Sequence, residues 1–133
     1  FSNDKTGIEL SSITTNQRKS IINSGDIDTG VIIELFAIGS VVNPILYNVL
    51  TGTHMGLKFT MNASDTLIIN TNIGEKSIEL IRDGVSYNAM GYMTPDSDWF
   101  VLTSGDNVFT YSADSGTGNL QITFTTALLY GGV

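Results

Sequence analysis

The chain has 133 residues, no cysteine, 14 glycines and a formal net charge of -7. This length suits one domain whose core needs no staple, and the missing thiols exclude both a disulfide framework and a thiolate metal site. The negative balance repels phosphate backbones and anionic lipid alike, so nucleic acid is not an expected partner.

The opening stretch, residues 1–18, is polar with isolated Ile8, Leu10 and Ile13. It reads as a linker or edge segment from a preceding N-terminal domain that is not present, with a β-domain over residues 19–133. The chain starts at Phe1 with no charged-then-apolar leader pattern, and is expected to be a piece cut from a longer polypeptide.

From Lys19 onward, short runs of β-branched and aromatic residues are punctuated by Gly, Asn and Asp. The pattern predicts an all-β, two-sheet antiparallel sandwich with strands near 19–23, 30–38, 44–50, 55–62, 66–71, 76–82, 99–103, 107–112 and 119–126. Alternation is clearest in Leu57, Phe59 and Met61 and in Leu120, Ile122 and Phe124, because successive strand side chains point to opposite faces. In the run Val31 to Phe36 both faces are largely apolar, which predicts a strand covered on both sides or docked on its outer face, with Glu34 needing a polar neighbour. The longest apolar stretch, Val31 to Ile38, is interrupted by Glu34 and is too short to span a bilayer as a helix, so a soluble chain without membrane insertion is expected.

The turns follow from residue type. Asp83-Gly84 tolerates positive φ at both central positions and predicts a two-residue hairpin between Ile78–Arg82 and Val85–Tyr87. Thr51-Gly52, Ser104–Asn107 and Ser115–Gly118 are further reversals. Between Tyr87 and Asp98 lies a longer polar, glycine-bearing loop, the first candidate for partner contact.

Catalytic signatures are missing from the sequence. The single histidine, His54, adjoins the Thr51-Gly52 reversal and reads as surface decoration; no nucleophile elbow, zinc-protease helix or phosphate loop occurs. The pairs Asp96 with Asp98 and Asp26 with Asp28 are close in sequence, but each sits in a polar loop where carboxylates are solvated rather than tuned for acid–base work. Neither pair extends to a spaced calcium loop. No catalytic residue, metal or cofactor is expected, and the chain is read as a non-enzyme. The candidate contact residues are Tyr87, Met90, Tyr92, Met93, Asp96 and Asp98, with Met90 and Met93 offering an adaptable apolar patch. Tyr87, Tyr92 and Trp99 also raise a carbohydrate reading, in which an aromatic face meets a sugar; Trp99, at a strand start, reads first as packing.

The ordered motifs Asn23-Ser24-Gly25-Asp26, Ile33-Glu34, Gly39, Asn43-Pro44, Asn48, Thr51-Gly52, Ala63 to Thr71, Ser97 to Leu102, Gly105-Asp106-Asn107 and Gly131 resemble the C-terminal domain of the siphophage distal tail protein family. The resemblance covers about residues 19–133. The family often has Gly-Asp where Ser64-Asp65 stands, and Pro where Ser104 stands. The resemblance implies a galectin-like, jelly-roll sandwich on the outside of a hexameric ring built by an N-terminal domain, this chain alone being monomeric. It further implies a virion tail-tip adaptor joining the tail tube to baseplate and receptor-binding proteins, made in the bacterial host cytoplasm from a phage or prophage gene. A carbohydrate-binding module contacting host wall saccharide is the alternative.

Overall fold

Alternating apolar side chains become the inner faces of two antiparallel sheets. The computed structural model describes residues 8–14, 19–23 and 29–126. Among the described residues twelve strands follow in order: β1 (Ile8–Thr14), β2 (Lys19–Asn23), β3 (Ile32–Ala37), β4 (Val41–Val42), β5 (Ile45–Asn48), β6 (Thr53–Gly56), β7 (Thr60–Met61), β8 (Thr66–Asn70), β9 (Ser77–Arg82), β10 (Val85–Asn88), β11 (Gly105–Ser112) and β12 (Leu120–Thr126). Two short 3-10 turns, Met90–Tyr92 and Thr117–Asn119, are the only helical elements among the described residues.

Six strands form one sheet in the order β1-β12-β3-β8-β9-β10, four form the second in the order β2-β11-β5-β6, and β4 pairs with β7. All ladders are antiparallel. β1, within the stretch read as linker or edge segment, is hydrogen-bonded to β12 at the outer edge of the larger sheet.

The core lies between the sheets. Ile33, Leu35, Leu67, Ile69, Ile78, Leu80, Ile122 and Phe124 from the larger sheet are buried together with Ile21, Leu46, Met55, Phe109 and Tyr111 from the smaller. The Phe109 ring lies 4.9 Å from that of Phe124 on the facing sheet and 5.2 Å, edge-on, from that of Phe100. One aromatic side chain thus joins both layers, a geometry that adds to the area it buries.

Several expected strands differ in extent. The stretch 99–103 is not a strand: among the described residues it makes one bridge, with Thr29 and Leu102 exchanging backbone bonds of 3.0 and 2.7 Å. Phe100 and Leu102 are buried and Val101 is exposed, so the alternation is real, but no ladder accompanies it. The stretch 55–62 splits into β6 and β7, because Leu57 bridges to Met93 and Lys58 N–H donates to the Tyr92 carbonyl at 2.8 Å instead of continuing a sheet. β11 starts at Gly105, within the predicted reversal, since the buried Asn107 side chain closes that turn by bonding both Thr103 N–H and Thr103 C=O. Outward-facing Glu34 is exposed on β3 opposite Thr123 and Ile68, while Ile32, Phe36 and Ile68 on that face are half-buried.

The hairpin between β9 and β10 has Asp83 at φ 54° and Gly84 at φ 76°, the type I′ geometry their identities predict. Ser64 also stands in the left-handed region, at φ 74°. Glycine would take this conformation without the Cβ penalty.

Beside Ser64, the Asp65 carboxylate is nearly sequestered, with 3% side-chain exposure. It accepts bonds from Arg82 Nε at 3.0 Å, from the second guanidinium nitrogen at 2.5 Å and from the Asn62 N–H at 2.8 Å. The Arg82 bonds hold its pKa below the ordinary carboxylate value against the opposing effect of burial. The pair therefore ties the β7–β8 turn to the end of β9.

Two stability predictions follow from this corner. Arg82→Met strands the Asp65 charge and should cost about 2 kcal/mol at neutral pH, measured by urea unfolding. Because the folded carboxyl titrates below its unfolded value, the pair's contribution is complete above about pH 4 and is lost as pH falls through the folded pKa. The gap between variant and wild type should therefore narrow in acid; a gap independent of pH would contradict the assignment. Ser64→Gly should raise stability by about 0.5–1 kcal/mol, relief of left-handed strain exceeding the added freedom of the unfolded chain. An unchanged or lower urea midpoint would refute it.

Candidate functional site

The six candidate contact residues fall into two places. Tyr87 lies on β10 opposite Leu80, so it shares the inner face of the larger sheet, yet at the edge of that sheet it is half exposed. Next in the chain, the Met90–Tyr92 turn is fastened by Met90 N–H to the Asn88 carboxamide oxygen at 2.9 Å. The Tyr92 ring packs 4.6 Å from that of Phe59, and the Arg82 guanidinium sits 5.5 Å over Phe59 from the hairpin end. Together Phe59, Leu80, Arg82, Tyr87, Asn88 and Tyr92 line a notch of ≈ 360 Å³. Met90, 39% exposed, faces a neighbouring depression that also includes Lys76, Glu79 and Ser86. Met93 is separated from this surface: it is half-buried, packs on the core and bridges to Leu57.

Asp96 belongs to a second place, an open groove of ≈ 360 Å³ that includes Asn43, Tyr47, His54, Lys58 and Asp114. The β5–β6 register sets Tyr47 opposite His54, their ring centroids 6.3 Å apart. His54 Nε2 lies 3.4 Å from an Asp96 carboxylate oxygen, and Asn43 Nδ2 donates to Asp114 at 2.8 Å. Asp96 is exposed and its pKa is lowered, first by a hydrogen bond from the Thr94 side chain and further by His54. A carboxyl held in its ionised form is a poor proton donor, so Asp96 lacks the raised pKa that a glycosidic general acid needs. Asp98 is exposed, and its backbone N–H donates to the His54 carbonyl at 2.8 Å. Among the described residues no three His, Asp or Glu side chains converge on a point where a metal would sit. Asp26 and Asp28 lie outside the described residues.

The segment carrying these residues is tightly held. Leu57 and Met93 form a bridge, Thr94 N–H donates to the Gly56 carbonyl at 2.9 Å, and Gly56 N–H donates to Ser97 Oγ at 2.8 Å. Residues 92–98 therefore lie along the outer edge of β6 and cover it. Trp99 is half-buried against the core, with Lys76 Nζ 5.9 Å from its ring.

Sequence reasoning missed Phe59 and Arg82 at the notch and Tyr47, His54, Asn43 and Asp114 at the groove. A usable signal existed for some of them. Arg82 directly precedes the Asp83-Gly84 turn, and Tyr47 and His54 flank Thr51-Gly52 at positions that a hairpin makes opposite. Nothing local relates Asn43 to Asp114, which meet only through the tertiary fold.

Comparisons with known proteins agree with this architecture. A comparison with curated protein sequences gives no match. Among solved structures, the fold resembles the SPP1 Dit protein, described as a paradigm of the hub adsorption apparatus in phages infecting Gram-positive bacteria, with a TM-score of 0.68 at 16% identity. The similarity covers 93% of this chain and 48% of that one, so this chain spans about half the length of the protein it matches. Residues 24–127 match the model of the siphovirus-type tail component, C-terminal domain. Since that match takes in most of the sequence, the chain belongs to the siphovirus-type tail component family, of which it is a C-terminal domain.

Proposed function

We propose that this phage tail component is the outer domain of a distal tail protein, an adaptor joining the tail tube to baseplate or tip proteins and to receptor-binding proteins through protein–protein contacts. The observation that carries the reading is the family match over residues 24–127. It is supported by the β10 corner, where Tyr87, Met90 and Tyr92 leave apolar surface exposed beside a shaped notch. Aromatic and methionine side chains are what protein interfaces favour.

In this reading the domain is not an enzyme and needs no cofactor. A preceding domain closes a hexameric ring, and the present chain by itself is monomeric. Six copies around a ring give avidity even where each contact is modest. The protein is made in the host cytoplasm from a phage or prophage gene and ends in the virion at the tail tip.

The test is where the protein sits and how it assembles. Immunogold labelling of purified tails with antibody against this domain should mark the tip; label spread along the tube or missing from tails would reject the reading. Light scattering should find this chain monomeric and the full-length protein hexameric, and a closed hexamer of this chain alone would overturn the proposed division of labour.

The saccharide alternative is favoured by one observation, the groove that sets Tyr47, 38% exposed, beside Asn43, Asp96 and Asp114. Such amides and carboxylates hydrogen-bond sugar hydroxyls, while a ring face takes the apolar side of the sugar. Tyr92 is less suited, since one side of its ring packs against Phe59. Calorimetry with host wall saccharides should give heat that Tyr47→Ala abolishes; silence with the folded protein removes this alternative.

A further inference from the structure

Strand edges distinguish the two sheets. The outer edge of β6 is covered by residues 92–98, whereas β10 ends the larger sheet with all four of its residues exposed and no described residue paired to its far side. In a two-residue hairpin the pair flanking the turn exchanges hydrogen bonds and alternate pairs do likewise, so Val85 and Tyr87 bond to β9. The N–H and C=O groups of Ser86 and Asn88 therefore point away from the sheet. β10 reads Val-Ser-Tyr-Asn and carries no Lys, Pro or bulge, the devices that usually blunt an open edge.

Side-chain room exists on both faces of this edge. A residue opposite Tyr87 on an added strand would point toward the notch of Phe59, Tyr87 and Tyr92, and its neighbours along the strand would point toward the depression of Lys76, Glu79, Ser86 and Met90. Charge selects the occupant. Arg82 is engaged by Asp65 and Lys76 lies at the Trp99 ring, while neither Glu79 nor Asp83 has a salt-bridge partner among the described residues. Glu79 only accepts the Ser86 hydroxyl. A second copy, also at -7, is repelled, and so short an edge buries too little to hold a dimer.

We propose that β10 is a strand-addition site for an extended, net-basic segment of another protein, its alternate side chains seated in the Tyr87–Tyr92 notch and against Glu79. The inference deepens the adaptor reading and rests on it for the kind of partner, not for the edge itself.

The probe is a short synthetic peptide alternating lysine with valine and phenylalanine, titrated into isotope-labelled protein and followed by amide NMR and hydrogen exchange. Saturable shifts with slowed exchange at Ser86 and Asn88 are expected. Binding should weaken about tenfold or more when the lysines become glutamates, and equally when the β10-facing peptide nitrogens are methylated. Ser86→Pro, which deletes an outward N–H without touching the β9 ladder, should do the same. If that variant does not fold, the methylated peptide decides the point. No saturable change, equal binding of a scrambled or methylated peptide, or protection elsewhere than β10 would overturn the site. A tip-located protein that fails to bind the peptide would remove the strand-addition site and leave the adaptor reading standing.

Discussion

The structure depends on the burial of two apolar sheet faces against each other, and Phe109 is where they meet. Its ring touches Phe124 of the facing sheet and Phe100 of the irregular segment, so the layers and one connecting stretch share a single aromatic contact. Removing a phenylalanine of this kind typically costs about 3–5 kcal/mol. With the inner faces committed to each other, polar chemistry is left to edges, loops and outer surfaces. The buried polar residues that remain serve the backbone: Asn107 and Asn48 close turns, and Thr71 accepts the Val31 N–H while donating to the Val31 carbonyl.

Asp65 is the charged counterpart of this rule. It is almost fully enclosed, and its oxygens are used by one guanidinium and one backbone N–H. The same guanidinium forms one wall of the notch beside Tyr87 and Tyr92. A structural ion pair thus also fixes the shape of the exposed corner, because Arg82 cannot swing out to solvent without leaving Asp65 unsatisfied.

Fold class was legible because period-two alternation is a direct consequence of strand geometry, and Asp83-Gly84 because few residue pairs accept two consecutive positive φ angles. Alternation failed as a guide at residues 99–103, where buried Phe100 and Leu102 flank exposed Val101 without a ladder. Periodicity reports which side chains face the core; it does not report whether the backbone has a neighbour to bond. The juxtaposition of the candidate residues was legible in part: Tyr87, Met90 and Tyr92 come together because they adjoin one hairpin and one tight turn. Met93 and Asp96 part from them because the chain then turns along β6, a non-local pairing that no window of sequence carries.

The fastening of residues 92–98 to β6 bears on the cost of recognition. A loop that must first settle into shape loses conformational freedom when something lands on it, and that loss subtracts from affinity. Here Tyr92 leads a segment already stitched down at Lys58, Gly56 and His54 before any visitor arrives. A partner landing on this corner would therefore meet a stiff ledge, with its entropy forfeited during folding rather than at the moment of contact.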